Sequence, residues 1–375
     1  MRILFLTFLF FVLSCTAKNI NEVENIVLKP EKIEIGEDSE STAIMNALKF
    51  LGYNVNEAFI FGAGGGMDFY YFQSAFPFIG IKNDRMAENF FENTQIKWSG
   101  KQYTSTKKSL EIIKEKLKEG IPVILRVDIR FLPYRYGGKY GSKLSSYGRH
   151  YITIFGIDFK KNIALITDND RTNLIEINLN DLDKARNSTT QAFTPYGEFF
   201  WIEKEKNDDL YNKKILLTSL SQVVKSYERP VKKNLSDLKN YFGIEAINNL
   251  SKEIVNIEKF VQMEIFLPGV FYSFYHYIEK LETKGAANRE IFKDYLVFMN
   301  SKLKDKKLEN IIKQLDLCIE NWKVLANEFK EISSNITNYR EKYERKALYD
   351  RAGAIADSLA KEEDRLYKMI KEYIK

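Results

Sequence analysis

The hydrophobic period of this chain changes once, near residue 215, and that change limits what it can fold into. Before it, short apolar runs are separated by turn residues. Ile121 to Asp128, Tyr151 to Asp158, Ile163 to Asp168 and a run around Glu198 to Ile202 read as strands. Between them lie two amphipathic helical patterns. One spans about 40–52, with Ala43, Ile44, Ala47, Leu48 and Leu51 on one face and Gly52 as its stop; the other runs from Thr104 to Glu119 and ends at Gly120. Phe59 to Gly66 reads as a short apolar run followed by a Gly-rich loop. After residue 215 the strand signals stop and three helical stripes take over. Phe242, Ala246, Ile247, Leu250, Ile254 and Ile257 form the first; Leu308, Ile311, Ile312, Leu315, Ile319, Trp322 and Leu325 the second; Leu348, Ala352, Ile355, Leu359, Leu366 and Ile370 the third. Their width suits a helical bundle better than a coiled-coil seam. The expected fold class is α+β: a helix packed on an antiparallel sheet over 31–215, then an all-α helical bundle over 230–375, with Arg229-Pro230 to Asn234 as the linker. A chain of 375 residues is long enough for both cores.

The first fifteen residues follow a different logic. Arg2 precedes an almost unbroken apolar run, Ile3 to Leu13, which Ser14-Cys15 closes. That run is too short to span a bilayer and suits the apolar region of a signal peptide. Val12-Leu13-Ser14-Cys15 looks like a permissive bacterial lipobox, so residues 1–15 are expected to be a lipoprotein-type signal peptide with Cys15 as the lipidated N-terminus. A conventional signal peptide cut a few residues later, discarding Cys15, is the competing reading. Residues 16–30 would then be a tether, and the protein an exported lipoprotein, on the outer side of the cytoplasmic membrane or in the outer membrane. No later segment is long and apolar enough to cross a membrane.

Several function classes are disfavoured. The net charge of +6 is modest and the basic residues are interleaved with acids, with no finger, recognition signature or basic stripe for nucleic acid. Two cysteines cannot build a disulfide framework or a Cys-based zinc site, and Cys318, inside a helical stripe, reads as a small buried apolar residue. Gly62, Gly64, Gly65 and Gly66 do not complete a dinucleotide fingerprint, because Met67 falls where the last glycine belongs. They read instead as positions of close backbone approach beside a cleft. No cofactor and no metal is expected.

What remains is a constellation around the first of two histidines. His150 opens a strand, and the next strand ends in Thr167-Asp168-Asn169-Asp170. A hairpin of this length brings His150 beside Asp168 or Asp170, on one face if the register is even. A carboxylate beside an imidazole fixes its tautomer and favours its protonated form, the base-and-orienter half of a catalytic triad. A third member belongs at a helix N-terminus, where free amides favour negative charge. The stretch Glu37-Asp38-Ser39-Glu40-Ser41-Thr42 fits, with Ser39 either nucleophile or helix cap. Asp128 either faces the cleft or caps a strand end. Tyr134, with Tyr136, Tyr140 and Tyr147, forms either a substrate lid or an exposed aromatic loop.

Nucleophile at the first helix, then His, then Asp on the next strand is the papain-like order, which the bacteriocin-exporter cysteine peptidases also follow. The chain more closely resembles the butirosin-biosynthesis protein H family. Glu40-Ser41-Thr42-Ala43 leads a helix ending Phe50-Leu51-Gly52, and Asn56-Glu57-Ala58 runs on to Gly64-Gly65-Gly66-Met67-Asp68-Phe69-Tyr70-Tyr71. Val127 to Tyr134 precedes the His strand, and Lys284-Gly285-Ala286-Ala287-Asn288-Arg289-Glu290 and Asn321-Trp322 are similar to the family's helical second half. The likeness covers roughly 35–370. It implies a papain-like domain that transfers an acyl group from a carrier-protein thioester to an amine through a cysteine. Here the matching position is Ser39, whose hydroxyl is far less acidic than a thiol and needs a base at the moment of attack. The candidate catalytic set is therefore Ser39, His150 and Asp168, and the candidate cleft Gly64, Gly65, Asp128, Tyr134 and Asp170. The partners expected are a membrane, through the lipid anchor, and an acyl, peptide or small-molecule ligand. Two readings stand: a weakly active or non-catalytic binding protein, or an active acyltransferase or amide/ester hydrolase.

Overall fold

The structure, a computed structural model, describes residues 25–135, 147–189, 193–207, 209–233, 239–261, 263–338 and 342–375. The expected signal peptide with Cys15, the first part of the tether, Tyr136, Tyr140 and Asn234 lie outside these residues. In the first half the strands are β1 (Ile26–Val27), β2 (Met67–Phe72), β3 (Phe78–Lys82), β4 (Trp98–Gln102), β5 (Val123–Val127), β6 (His150–Asp158), β7 (Ile163–Thr167), β8 (Ile175–Asn178) and β9 (Glu198–Ile202). Its helices are α1 (Ser39–Phe50), α2 (Glu57–Ala63), α3 (Met86–Thr94), α4 (Thr106–Lys118) and α5 (Leu179–Arg186). Then come α6 (Lys213–Tyr227), β10 (Lys232–Lys233), β11 (Lys239–Phe242), α7 (Gly243–Ile254), α8 (Leu267–Glu279), α9 (Arg289–Leu303), α10 (Lys306–Asn335) and α11 (Lys342–Tyr373). The fold is α+β, antiparallel sheets in the first half and helices in the second.

The larger sheet runs β4-β9-β5-β6-β7-β8, every pair antiparallel. β5 covers the His150 end of β6 and β1 covers the other end. β9 lies between β4 and β5, inside the sheet rather than at its edge. One face carries α1, which packs on β6; the other carries α4 and α5 over a second apolar cluster including Ile113, Leu117 and Leu182.

Two local readings differ from the sequence expectation. The Phe59 run is part of α2, because Asn56 accepts the Phe59 amide at 2.8 Å and caps it, while Phe59, Ile60 and Phe61 are all buried. Beyond residue 215 the chain still makes two short strands. β10 and β11 add to β2 and β3 as a smaller sheet ordered β10-β11-β2-β3. The strands are too short for a period-two pattern to stand out.

The three helical stripes face inward as α7, α10 and α11, with Trp322, Leu359 and Ile370 fully buried. The core does not stop at the junction of the halves: Ala43 and Ile44 of α1 and Phe59 of α2 belong to the same apolar cluster as Phe271, Trp322 and Ile370. α2 packs on α9 and α7 on β2. A buried polar node ties the same seam. Arg289, fully buried, donates to Glu363 at 2.9 and 3.1 Å and to the Asp68 carbonyl at 3.0 Å, with its guanidinium over Trp322. Trp322 and Tyr227 also donate to Glu363. Such a pair is weak evidence of added stability, yet removing one partner strands a buried charge. Its position fixes the segment before Arg289, which reaches the site.

Candidate functional site

The hairpin β6–β7 sets the first two residues. At its turn Asp158 pairs with Ile163, an odd register that would place His150 and Asp168 on opposite faces. A bulge between Ile154 and Gly156 inserts one residue, after which Thr153 pairs with Thr167. That insertion turns His150 and Asp168 to one face. His150 Nε2 lies 2.8 Å from Asp168 Oδ1, with both side chains buried. Asp168, not Asp170, is the partner.

α1 supplies the third. Its N-cap is Asp38, whose carboxylate accepts the Ser41 amide at 2.9 Å, so Ser39 is the first helical residue and not the cap. The Ser39 hydroxyl accepts the Tyr151 amide at 3.1 Å, satisfying a buried backbone donor on β6. It makes no hydrogen bond to His150, because both ring nitrogens are taken.

The second ring nitrogen meets a residue that the sequence reading missed. Glu282, which follows α8 in the helical half, places Oε1 2.6 Å from His150 Nδ1 and Oε2 2.5 Å from the Ser39 amide nitrogen. The carboxylate therefore sits at the N-terminus of α1, where the free amide and helix dipole favour an anion. A neutral imidazole has one N–H, but two carboxylates face this ring, so only an imidazolium donates to both. Burial works against that charge; Asp168 and then Glu282 outweigh it and raise the His150 pKa. Burial likewise opposes the charged forms of Asp168 and Glu282, and His150 above all holds both below the usual carboxylate range. No single window carried the Glu282 signal. The nearest hint was the Gly285 break between two helical stripes.

A support layer surrounds these groups. Arg135 bridges Asp168 from Nε at 2.8 Å and its Nη2 at 2.5 Å, and Tyr134 donates to Asp168 at 2.7 Å. Asp170 lies 3.7 Å from Arg135 and 3.4 Å from Arg171, one step removed from the histidine. Lys82 bridges Asp38 at 2.5 Å and Glu40 at 3.1 Å on either side of Ser39. Glu57 accepts the Glu37 and Asp38 amides and the Thr42 hydroxyl, and so fixes the turn into α1; burial raises its pKa to about 7.

Three of the proposed cleft residues serve other ends. Asp128 accepts the Arg130 and Tyr147 amides and the Ser188 hydroxyl, so it caps the turn after β5. The space beside Gly64 is filled by Met86, and that beside Gly65, whose φ is +58°, by Gln222 and Ser219. Both glycines let α2 pack against its neighbours, and neither lines the site. Among the described residues no group of three or more His, Cys, Asp and Glu side chains is arranged to hold a metal ion. Cys318 is buried, which pushes its thiol pKa up.

The pH dependence follows from these directions. The raised His150 contributes stability that is complete below its unfolded value of about 6.5 and is lost as pH rises through the folded value. The lowered Asp168 and Glu282 contribute stability that is present above their unfolded values of about 4 and is lost as pH falls. Between about pH 4.5 and 6.5 all three are favourable. Denaturant titrations of wild type and His150→Gln should differ most in that window and less as pH rises above it. A difference constant from pH 5 to 9 would contradict the charged triplet.

Comparison with protein-family models places two matches on the chain. The model for butirosin biosynthesis protein H, N-terminal, covers residues 38–169, which begins at the α1 cap and ends just past Asp168. The model for a domain of unknown function (DUF4872) covers residues 180–370 and includes Glu282. A search of curated proteins finds no match to the chain. With both models matched in order, one for each half of the site, the chain belongs to the butirosin-biosynthesis protein H family.

Proposed function

We propose that this member of an acyltransferase-like, biosynthesis-related family uses its site chiefly to bind, with weak turnover or none. The observation that carries the reading is the carboxylate at each ring nitrogen of His150, Asp168 at Nε2 and Glu282 at Nδ1. A base must have a vacant nitrogen to take the proton of a serine hydroxyl, and this ring has none. The Ser39 oxygen accepts the Tyr151 amide, and its hydroxyl has no base within hydrogen-bond reach among the described residues. Ser39 matches the position where the family is expected to carry cysteine; without a thiol, and with its neighbouring histidine charged, the usual acyl transfer lacks both nucleophile and base. The order of Ser39 on a helix, His150 on a strand and Asp168 on the next supports a papain-like lineage.

The lipobox-like Val12-Leu13-Ser14-Cys15 supports export and anchoring through Cys15, with the site held outside the cytoplasm. No helix among the described residues is long and apolar enough to cross a membrane. Carrier-protein thioesters are cytoplasmic, so an exported chain would not meet the family's expected donor.

A second reading rests on one observation: the Ser39 amide and the His150 Nδ1 converge on one carboxylate, a donor for each oxygen, so both are aimed where negative charge can sit. With Glu282 withdrawn, Ser39 would face a free imidazole, and an amide or ester hydrolase would result.

Two experiments separate these statements. Protein lacking residues 1–15 should not be labelled by a fluorophosphonate probe. Labelling that disappears in both Ser39→Ala and His150→Ala would establish the hydrolase reading instead. In cells, Cys15→Ser should abolish incorporation of labelled palmitate and move the protein out of the membrane fraction; unchanged membrane association would refute the lipid anchor.

A further inference from the structure

The connection from α8 to α9 has unusual backbone geometry. Glu282 (φ 53°), Ala286 (49°), Ala287 (52°) and Asn288 (67°) all lie in the left-handed region, with Gly285 at 131° among them. Positive φ is uncommon outside glycine, and two consecutive alanines have no side-chain hydrogen bond to offset it. Such geometry persists only where the surroundings impose it, and it marks ligand clamps and switches. Here the surroundings are evident. Thr283 accepts the Gly285 and Asn288 amides through its hydroxyl, the Glu279 carboxylate accepts the Ala286 amide at 3.0 Å, and Arg289 is locked into its buried node.

The product of that geometry is the placement of one carboxylate. Glu282 reaches 132 residues across the sequence to His150 and 243 to Ser39. Its two oxygens meet two donors, a helix-terminal amide and an imidazolium, with the Lys82 ammonium adding attraction. This is a two-point cradle for a planar anion. Nothing in the donor set depends on the carboxylate belonging to Glu282. A crevice beside Glu282 is lined by Tyr70, Phe78, Tyr147, Phe193 and Tyr277, with the cations Lys82 and Arg149. With Glu282 in place the free volume there is about 20 Å³, room for a single water.

We propose that the cradle between the Ser39 amide and His150 is a binding site for a small organic acid with an aromatic body, and that Glu282 is its resident, displaceable occupant. The carboxylate of the ligand takes the two donors, and its ring enters the aromatic crevice as the strained 282–288 segment relaxes outward. The proposal deepens the reading of the cleft as a binding site and rests on it.

The test uses protein lacking residues 1–15, with sodium benzoate and phenylacetate as probes and benzamide as the neutral control. By calorimetry, Glu282→Ala should bind the two acids at least tenfold more tightly than wild type, with benzamide bound by neither. Sodium acetate should raise the melting temperature of Glu282→Ala above what equal sodium chloride achieves, since it refills the cradle. If Glu282→Ala does not fold, Glu282→Gln keeps the packing while giving up the charge, and should show the same preference for acids. A folded variant that binds the acids no better than wild type, or binds benzamide equally, would overturn the proposal. Fluorophosphonate labelling reports on turnover separately: a labelled protein with acid binding intact refutes the non-catalytic reading alone, and an unlabelled one without acid binding refutes this site alone.

Discussion

One charged ring organises the site. His150 has a carboxylate on each nitrogen, one from the adjoining strand and one from the helical half. Buried ions are costly unless paired and hydrogen-bonded, and here the pairing is nearly complete. Asp168 is also held by Arg135 and Tyr134, while Glu282 is also held by the Ser39 amide. Each group is therefore fixed by its partners, and the two halves of the chain close around the same charge. The Arg289–Glu363 node is a second fully buried pair a short way along the chain from Glu282.

This arrangement separates lineage from chemistry. The family models cover both halves, and Ser39 at the start of a helix, His150 at the start of a strand and Asp168 just past the next strand are brought to one place. What differs is the state of those groups. His150 meets a carboxylate at each ring nitrogen, and the Ser39 hydroxyl accepts the Tyr151 amide. The helix terminus remains suited to negative charge, and in this structure the Glu282 carboxylate supplies it.

How much of this the sequence disclosed follows from separation along the chain. His150 and Asp168 lie 18 residues apart on one hairpin, so local reasoning brought them together. Their shared face depended on a bulge at Ile154–Gly156, which no alternation pattern displays. Asp38 and Ser39 both suit a cap, and only the Asp38–Ser41 bond decides between them. Asp128 suits a cleft face and a strand-end cap equally, and only its bonds to the Arg130 amide and Ser188 decide for the cap; Gly64 and Gly65 do mark close approach, but to Met86, Gln222 and Ser219. Glu282 was out of reach altogether, since tertiary packing of the helical half delivers it and no residue type or spacing announces a lone glutamate. The stripes of α7, α10 and α11 were legible because a helix repeats its pattern over many turns; β10 and β11 are too short to do so.

The protonation state of His150 is the most direct point of contact between this account and experiment. The chain has only two histidines, so the ¹⁵N spectrum of imidazole-labelled protein lacking residues 1–15 is readily assigned, with His150→Gln as the reference. At neutral pH both ring nitrogens of His150 should carry protons and resonate together in the N–H range. One protonated and one bare nitrogen would identify a neutral imidazole, and would contradict the doubly paired imidazolium on which the binding site rests.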